Sequence, residues 1–120
     1  MAKKVLIIED SPLVLNIFKD TLSDAGYEVV TAETGESGVA KAKEQQFDAA
    51  IIDTLLPGMN GFEACRAIRA MYDAAALKII VMTGSVDAID ATRAREAGAD
   101  DYCAKTSDIV NIVDSLAKLV

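Results

Sequence analysis

Short apolar runs alternate with longer segments of helical periodicity along the whole chain, and this alternation is the strongest constraint on its fold. Four of the runs cover residues 5–8, 49–52, 79–82 and 102–104. Continuous apolar runs of this length are typical of strands buried on both faces, and strands that alternate with helices form a parallel sheet with right-handed crossovers. The sequence therefore predicts an α/β fold, in which the carboxyl ends of several strands meet at one edge of the sheet.

Turn and cap residues mark the ends of the predicted elements. Ser11 suits a helix N-cap and Pro12 the first helical position, where the N–H that proline lacks is not needed. Gly26 and Gly98 suit helix ends in the left-handed conformation. The predicted strands are residues 4–8, 27–31, 49–53, 78–83 and 101–104, and the helices after the first are residues 36–46, 61–71, 87–97 and 107–119.

The apolar spacing also predicts which surfaces are buried. In the first helix Leu13, Ile17, Phe18 and Leu22 recur at helical spacing. The second strand is the more polar one and is predicted at an edge of the sheet, whereas the third is fully apolar and is predicted at the centre. One face of the last helix carries Ile109, Ile112, Val113, Leu116 and Leu119.

Length, charge and composition limit the classes of function. The 120 residues suit one domain, residues 1–120, and the net charge of −7 argues against direct binding of nucleic acid, which needs basic patches. Because the chain has no His and its two cysteines lie far apart, we expect no zinc site and interpret Cys65 and Cys103 as packing residues in a reducing compartment. No apolar run approaches membrane-spanning length, so we expect no membrane insertion and a cytoplasmic location.

Three carboxylates are predicted to converge at the carboxyl edge of the sheet. Glu9 and Asp10 follow the first strand, and Asp53 ends the third. If these strands are neighbours, the charges repel, and a like-charge pair at 4 Å costs about 4 kcal/mol at an effective dielectric of 20. Proton uptake or a divalent cation relieves this repulsion, and Mg2+ suits a site made of carboxylates. A plainer interpretation, that Glu9 and Asp10 only cap the first helix, remains open on these residues alone.

Asp53 has two possible roles at such a site. It is either a metal ligand only or also a nucleophile, since a carboxylate can accept a phosphoryl group as an acyl phosphate. The charge of that group would then be stabilised by a cation, by Lys105 and by hydroxyl or backbone donors. Thr83 supplies a hydroxyl at its strand end, and Gly84 leaves space beside it.

Together these motifs closely resemble the receiver domain of two-component response regulators. The resemblance rests on Glu9-Asp10, on Asp53 with Pro57-Gly58-Met59-Asn60-Gly61, on Thr83-Gly84 and on Asp101-Tyr102-Cys103-Ala104-Lys105, and it covers the whole chain. It implies the flavodoxin-like (βα)5 sandwich, with a five-stranded parallel sheet in the order 2-1-3-4-5. A complete chain of this length would resemble stand-alone receivers of the chemotaxis or phosphorelay type. A fragment would be the receiver of a larger regulator or hybrid kinase.

The resemblance also implies roles for individual residues. Asp53 would be the phospho-acceptor, and Mg2+, or alternatively Mn2+, would be held by Asp10, Asp53 and the backbone carbonyl of Leu55, with Glu9 acting through water. The phosphoryl group would be bound by Thr83, Lys105 and Gly84. Thr83 and Tyr102 would form the switch, which changes affinity at the face made by the fourth helix, fifth strand and fifth helix.

The implied partners are a sensor histidine kinase or phosphotransfer protein, which donates the phosphoryl group, and a downstream protein target. The implied chemistry is self-catalysed phosphoryl acceptance and hydrolysis only, so the chain is not expected to be an enzyme acting on other substrates. One departure from the family is Thr106, which follows Lys105 where the family usually has proline. A cis bond before Thr106 would cost about 2.5–4 kcal/mol, so either that strain is retained or the bond is trans.

Other classes of function fit the sequence less well. A pseudo-receiver, which binds partners without phosphate, is the main alternative. An aspartate-nucleophile phosphatase typically carries a second Asp two residues after the nucleophile, and Leu55 occupies that position. A flavin carrier needs a phosphate-binding loop after the first strand, where Glu9 and Asp10 would instead repel phosphate.

Overall fold

Five parallel strands form one sheet in the order β2-β1-β3-β4-β5, which confirms the α/β flavodoxin-like prediction. The computed structural model describes residues 2–84, 88–104 and 109–120. The strands are β1 Lys4–Ile8, β2 Glu28–Ala32, β3 Ala49–Asp53, β4 Lys78–Thr83 and β5 Asp101–Ala104. The helices are α1 Pro12–Asp24, α2 Gly35–Glu44, α3 Gly61–Met71, α4 Ala88–Glu96 and α5 Ile109–Leu119.

The register of the sheet aligns the carboxyl ends of its central strands. Ile8 of β1 pairs with Ile52 of β3, and Asp53 pairs with Met82 of β4. Because all pairs are parallel, the residues that follow β1, β3 and β4 emerge at one edge. As predicted, the apolar β3 is central and the more polar β2 lies at the side of the sheet.

Two apolar cores lie on opposite faces of this sheet. Successive strand residues point to opposite faces, so Leu6 and Ile8 of β1 pack into one core, whereas Val5 and Ile7 pack into the other. The first core includes apolar residues of α2, α3 and α4, and the second includes those of α1 and α5. The fold is therefore a three-layer sandwich whose sheet is covered on both sides.

The buried face of α1 agrees with the prediction at Phe18 and Leu22 and differs from it at Leu13 and Ile17. Leu15, Phe18 and Leu22 are buried, whereas the side chains of Leu13 and Ile17 are 70% and 48% exposed. Both sets are apolar and both have helical spacing, so the sequence periodicity did not distinguish the face that meets the sheet. In α5 Ile112 and Leu116 are buried, and Val113 and Leu119 pack partly against them. The side chain of Ile109 lies outside the described residues.

Some element boundaries differ from the predicted ones: α2 ends at Glu44 rather than Gln46, and β2 ends at Ala32 rather than Thr31. Local hydrogen bonds explain why both elements also begin at a different residue. Helix α2 begins at Gly35 rather than Glu36 because Thr34 and Ser37 form a capping box there. Strand β2 begins at Glu28 rather than Tyr27, whose N–H is donated to the carbonyl of Leu22 as α1 ends. Ser107, the predicted start of the last helix, lies outside the described residues. Within the described residues, none of the helices combines the length and apolarity needed to cross a membrane.

Candidate functional site

Strands β1 and β3 bring three carboxylates together at the carboxyl edge of the sheet. Glu9 and Asp10 directly follow β1, and Asp53 is the last residue of β3. One carboxylate oxygen from each residue lies within 4.8 Å of the other two. Glu9 and Asp53 are buried, with 0% and 1% exposure, whereas Asp10 is exposed. The predicted acidic cluster is therefore present, with one carboxylate open to solvent.

The donor set of this cluster fits a magnesium ion. Mg2+ prefers oxygen ligands and is usually bound by one or two carboxylates while it keeps several waters. Three converging carboxylates supply such oxygens, and a cation among them offsets their mutual repulsion. Helix capping accounts for only part of the cluster, because the N-cap of α1 is Ser11, whose Oγ accepts from the N–H of Val14 at 3.4 Å. Glu9 assists by accepting from the N–H of Ser11 at 3.1 Å.

The loop between β3 and α3 has little freedom where it leaves Asp53. The N–H of Thr54 is donated to the carbonyl of Met82 at 3.0 Å, and the N–H of Gly61 is donated to the carbonyl of Thr54 at 3.2 Å. A Cβ at Gly61 would lie 2.0 Å from the carbonyl oxygen of Asp53, so this close approach requires glycine. The loop thereby fixes the position of Leu55, whose N–H points to Oδ1 of Asp53 at 3.4 Å.

Some of the residues predicted to bind the phosphoryl group belong to the part of the chain that the structure describes, and these lie at the same edge of the sheet. Thr83 ends β4 and is 3% exposed, and a Cβ at the exposed Gly84 would meet no atom within 4 Å. Tyr102 of β5 is half-buried and pairs with Val81 of β4. Lys105 lies outside the described residues, as does Thr106. The structure thus brings Glu9, Asp10 and Asp53 into one cluster and places Thr83 and Gly84 at the end of the neighbouring strand β4.

The sequence of the chain matches the model of a known protein family. The family model of the response regulator receiver domain matches residues 5–117, which is nearly the whole chain. The chain belongs to the response regulator receiver domain family.

Solved structures support the family assignment. This receiver domain superposes on the chemotaxis protein CheY4 of Vibrio cholerae with a TM-score of 0.93 and 30% identity, over 100% of both chains. It also superposes on the response regulator TrrA of Thermotoga maritima, solved in complex with Mg(2+)-BeF, with a TM-score of 0.89 and 29% identity. That match covers 98% of this chain and 99% of the other.

A curated relative is the transcriptional regulatory protein AfsQ1 of Streptomyces coelicolor. The two are 40% identical over 101 residues, which is 84% of this chain and 44% of the relative. The receiver domain therefore spans less than half the length of that protein. The similarity extends to proteins named for chemotaxis and for transcription, so the predicted stand-alone chemotaxis or phosphorelay type stays a prediction.

Two contacts beside the candidate site were not predicted from the sequence. The carboxylate of Glu36 lies 3.4 Å from the N–H of Met59 in the β3–α3 loop, and the guanidinium of Arg93 lies 4.2 Å from the ring centroid of Phe62. A cavity of about 150 Å3 separates this loop from α4, lined by Thr54, Leu55, Asn60, Phe62, Asp90 and Arg93. These partners lie far apart in sequence and belong to no motif, so only the folded chain shows them.

Proposed function

We propose that this receiver domain accepts a phosphoryl group on Asp53 from a phosphohistidine, in a reaction that needs Mg2+, and that the modified domain changes its affinity for a protein target. The observation that carries the proposal is the cluster of Glu9, Asp10 and Asp53, whose carboxylate oxygens approach within 4.8 Å. A nucleophilic carboxylate with two further carboxylates beside it suits metal-assisted phosphoryl transfer. The Mg(2+)-BeF complex of TrrA supports the choice of metal.

In the proposed reaction an oxygen of Asp53 attacks the phosphorus atom. The new P–O bond gives an acyl phosphate, while the P–N bond to the donor histidine breaks and its electron pair returns to the imidazole nitrogen. Hydrolysis later returns the Asp53 carboxylate and inorganic phosphate. When bound, Mg2+ would neutralise charge on the transferred group. Asp10, Asp53 and the backbone carbonyl of Leu55 would hold the ion, and Glu9 would support it through water.

The remaining site residues are assigned by their place at the sheet edge and by the family. The hydroxyl of Thr83 and the open space beside Gly84 suit contact with phosphoryl oxygens. Lys105 would supply a positive charge to the same oxygens. Movement of Thr83 toward the phosphoryl group would be coupled to movement of Tyr102, the second residue of β5.

The surface near the site suits a protein donor. Among the described residues, the exposed large apolar side chains are Leu13, Ile17 and Leu55. Leu13 lies in the first turn of α1, three residues after Asp10, and Leu55 lies two residues after Asp53. Apolar side chains around a polar site favour contact with another protein. We therefore assign the phosphoryl donor as a sensor histidine kinase or phosphotransfer protein in the cytoplasm, and we assign no turnover beyond acceptance and hydrolysis at Asp53.

Intact mass spectrometry after incubation with acetyl phosphate and Mg2+ tests the proposal. We expect one added phosphoryl group, lost when EDTA replaces the metal and lost in Asp53→Asn. Asp20→Asn is the matched control, because it makes the same chemical change at an exposed position of α1 and is expected to label normally. Full labelling of Asp53→Asn would overturn the assignment of the acceptor. No labelling of the unchanged protein, either with acetyl phosphate or with a phosphorylated histidine kinase, would favour a phosphate-independent pseudo-receiver.

A further inference from the structure

The segment from the end of β2 into α2 lies against the end of β1, where the acidic cluster begins. The N–H of Glu9 donates to the carbonyl of Ala32, the last residue of β2, at 3.0 Å. A Cβ at Gly38 of α2 would overlap the side chain of Ile8, the last residue of β1, so the helix lies close against that strand end. The position of α2 is therefore fixed relative to Glu9 and the neighbouring Asp10.

The first turn of α2 also packs against the β3–α3 loop. A Cβ at the buried Gly35 would lie 2.9 Å from the carbonyl oxygen of Met59 and 3.1 Å from its Cβ. The Oε2 of Glu36 accepts from the N–H of Met59 at 3.4 Å. A Cβ at Gly58, which has a φ of +72°, would lie 2.9 Å from the same carboxylate oxygen. The carboxylate of Glu36 thus lies against the backbone of two consecutive loop residues.

Local hydrogen bonds hold the first turn of α2 in place. The N–H of Ser37 donates to Oγ1 of Thr34 at 3.0 Å, and the N–H of Thr34 lies 3.3 Å from Oγ of Ser37. Glu36 stands between these two residues of the capping box, so the backbone from which its side chain extends is well defined. Its charge also suits the amino end of a helix, which is a simpler role for the same residue.

The loop backbone has few ways to absorb a shift between Met59 and the candidate site. The N–H of Leu55 donates to Oδ1 of Asp53 at 3.4 Å, and the proposed function takes the carbonyl of Leu55 as a metal ligand. Of the residues between Leu55 and Met59, Leu56 is 8% exposed and belongs to the core, and Pro57 has a φ restricted by its ring. A displacement of the backbone at Met59 is therefore expected to reach Leu55.

We propose that Glu36 is a positioning residue for the metal site. Its carboxylate holds the backbone at Gly58 and Met59 and thereby sets the carbonyl of Leu55 for Mg2+. The inference rests on the proposed function, because it concerns the ion that phosphoryl transfer would need. Glu36 is exposed and its bond to the loop is long, so its removal should affect the affinity for the ion more than folding.

Two conservative variants separate the reach of the Glu36 side chain from its charge. Glu36→Asp keeps the charge but is shorter by one methylene, so its carboxylate no longer reaches Met59. Glu36→Gln loses the charge but keeps the length and a carbonyl acceptor. We expect the Mg2+ dissociation constant to rise about fivefold in Glu36→Asp and to change by less than about twofold in Glu36→Gln. A rise in Glu36→Gln without one in Glu36→Asp would show that the charge alone attracts the ion, and it would overturn the proposal.

Thermal unfolding at increasing Mg2+ concentration measures these dissociation constants. Glu33→Asp and Glu33→Gln are the matched controls at an exposed position between β2 and α2, and both should bind Mg2+ like the unchanged protein. The unfolding midpoint of Glu36→Asp without metal should stay within about 2 °C of the unchanged protein. A larger fall would mean that the variant loosens α2 in general, and it would overturn a positioning role.

A metal-free measurement tests the contact itself. In proton–nitrogen NMR spectra without Mg2+, the amide proton of Met59 should move upfield in Glu36→Asp, because it loses its acceptor, and the Leu55 amide resonance should move with it. Both should move less in Glu36→Gln. Movement at Met59 without movement at Leu55 would show that the loop absorbs the change, and it would overturn the proposal.

Failure of this inference differs from failure of the proposed function. Unaltered Mg2+ affinity in Glu36→Asp, beside normal Mg2+ binding by the unchanged protein, would overturn the role of Glu36 alone. If the unchanged protein bound no Mg2+, the proposed metal-dependent reaction would be wrong, and the positioning role of Glu36 would be wrong with it.

Discussion

At the scale of single residues, the candidate site brings together carboxylates whose negative charges repel one another. Glu9 and Asp53 are buried beside the exposed Asp10, so three carboxylates lie close together at this edge of the sheet. Packing three acids together lowers the stability of a metal-free protein and raises its affinity for a divalent cation. The arrangement of charges that suits cation binding therefore makes the folded protein less stable.

Asp10→Asn separates these two effects. Without metal we expect the thermal midpoint to rise, because one charge of the cluster is removed and the side chain is exposed enough to be tolerated. The Mg2+ dissociation constant should rise by about tenfold or more, so the stabilisation gained from saturating Mg2+ should fall by about 1.4 kcal/mol. Thermal unfolding at several Mg2+ concentrations measures both. Asp20→Asn is the matched control, and a Mg2+ response of Asp10→Asn equal to that of the unchanged protein would remove Asp10 from the metal site.

Two glycines near the site are expected to differ sharply in their tolerance of a methyl group. A Cβ at Gly61 would lie 2.0 Å from the carbonyl oxygen of Asp53, whereas one at Gly84 would meet nothing within 4 Å. Gly61→Ala should destabilise the protein by about 2 kcal/mol or more, because backbone must move, and Gly84→Ala should change stability by less than about 0.5 kcal/mol. Urea unfolding of both variants measures the difference, and equal stabilities would show that the β3–α3 loop can relax.

At the scale of elements, the strands were predicted more reliably than the helix faces. The bounds of β1, β3, β4 and β5 agree with the sequence prediction, because each strand contains a continuous apolar run with a polar residue at its end. The bounds of α3 also agree, since Asn60 and Glu63 form its capping box. In α1 the exposed Leu13 and Ile17 were grouped with the buried face. Apolar residues that face solvent cannot be distinguished from core residues by spacing alone.

The part of the candidate site that lies at the ends of strands could be predicted from the sequence. Glu9, Asp10 and Asp53 each follow or end an apolar run, and the parallel order of the sheet brings them together. The hydrogen bonds of Arg69 had no such signal, because its acceptors are mostly backbone carbonyls, those of Gly98 after α4, Leu77 before β4 and Tyr72 after α3. A carbonyl is present at every position, so its use as an acceptor depends on tertiary structure. The roles assigned to Lys105, Thr83 and Tyr102 stay predictions.

The two faces of α1 make an element-scale prediction. Leu13→Glu and Ile17→Glu should change stability by less than about 0.5 kcal/mol each, since both side chains are exposed, whereas Leu15→Ala should cost about 2–5 kcal/mol. If the exposed face contacts the phosphoryl donor, labelling by acetyl phosphate should persist in the two Glu variants while transfer from a phosphorylated histidine kinase falls at least tenfold. A loss of both reactions would instead indicate damage to the site.

At the scale of the whole molecule, the core that joins α3, α4 and the sheet contains a titratable thiol, that of Cys65. Cys65 is fully buried, and its thiol donates to the carbonyl of Ala97 at 3.4 Å. Burial raises the pKa of the Cys65 thiol from 9.0 to about 11, with the charge of Arg69 opposing the shift. A pKa raised by folding couples global stability to alkaline pH, since the unfolded chain loses its proton first.

The sign of this coupling follows from which state binds the proton. Below pH 9 the thiol is protonated in both states, and stability is unaffected. Between pH 9 and about 11 the unfolded chain ionises while the folded chain does not, so stability falls as pH rises. From pH 8 to pH 10.5 the loss from Cys65 should reach about 2 kcal/mol, since one pKa unit corresponds to 1.36 kcal/mol. Other groups titrate over the same range, so the comparison must be made between variants.

Urea unfolding of the unchanged protein and of Cys65→Ala at pH 8, 9.5 and 10.5 provides that comparison. Cys65→Ala should be the less stable protein at pH 8, because it loses buried atoms from a packed core. The difference between the two free energies of unfolding should then shift by about 2 kcal/mol in favour of Cys65→Ala by pH 10.5. Cys103→Ala is the control for a partly exposed thiol, whose pKa is also raised by burial and by the charge of Asp101. A Cys65→Ala difference that stays constant with pH would mean that water reaches the thiol in the folded state, and that the α3–α4 core opens more readily than its packing indicates.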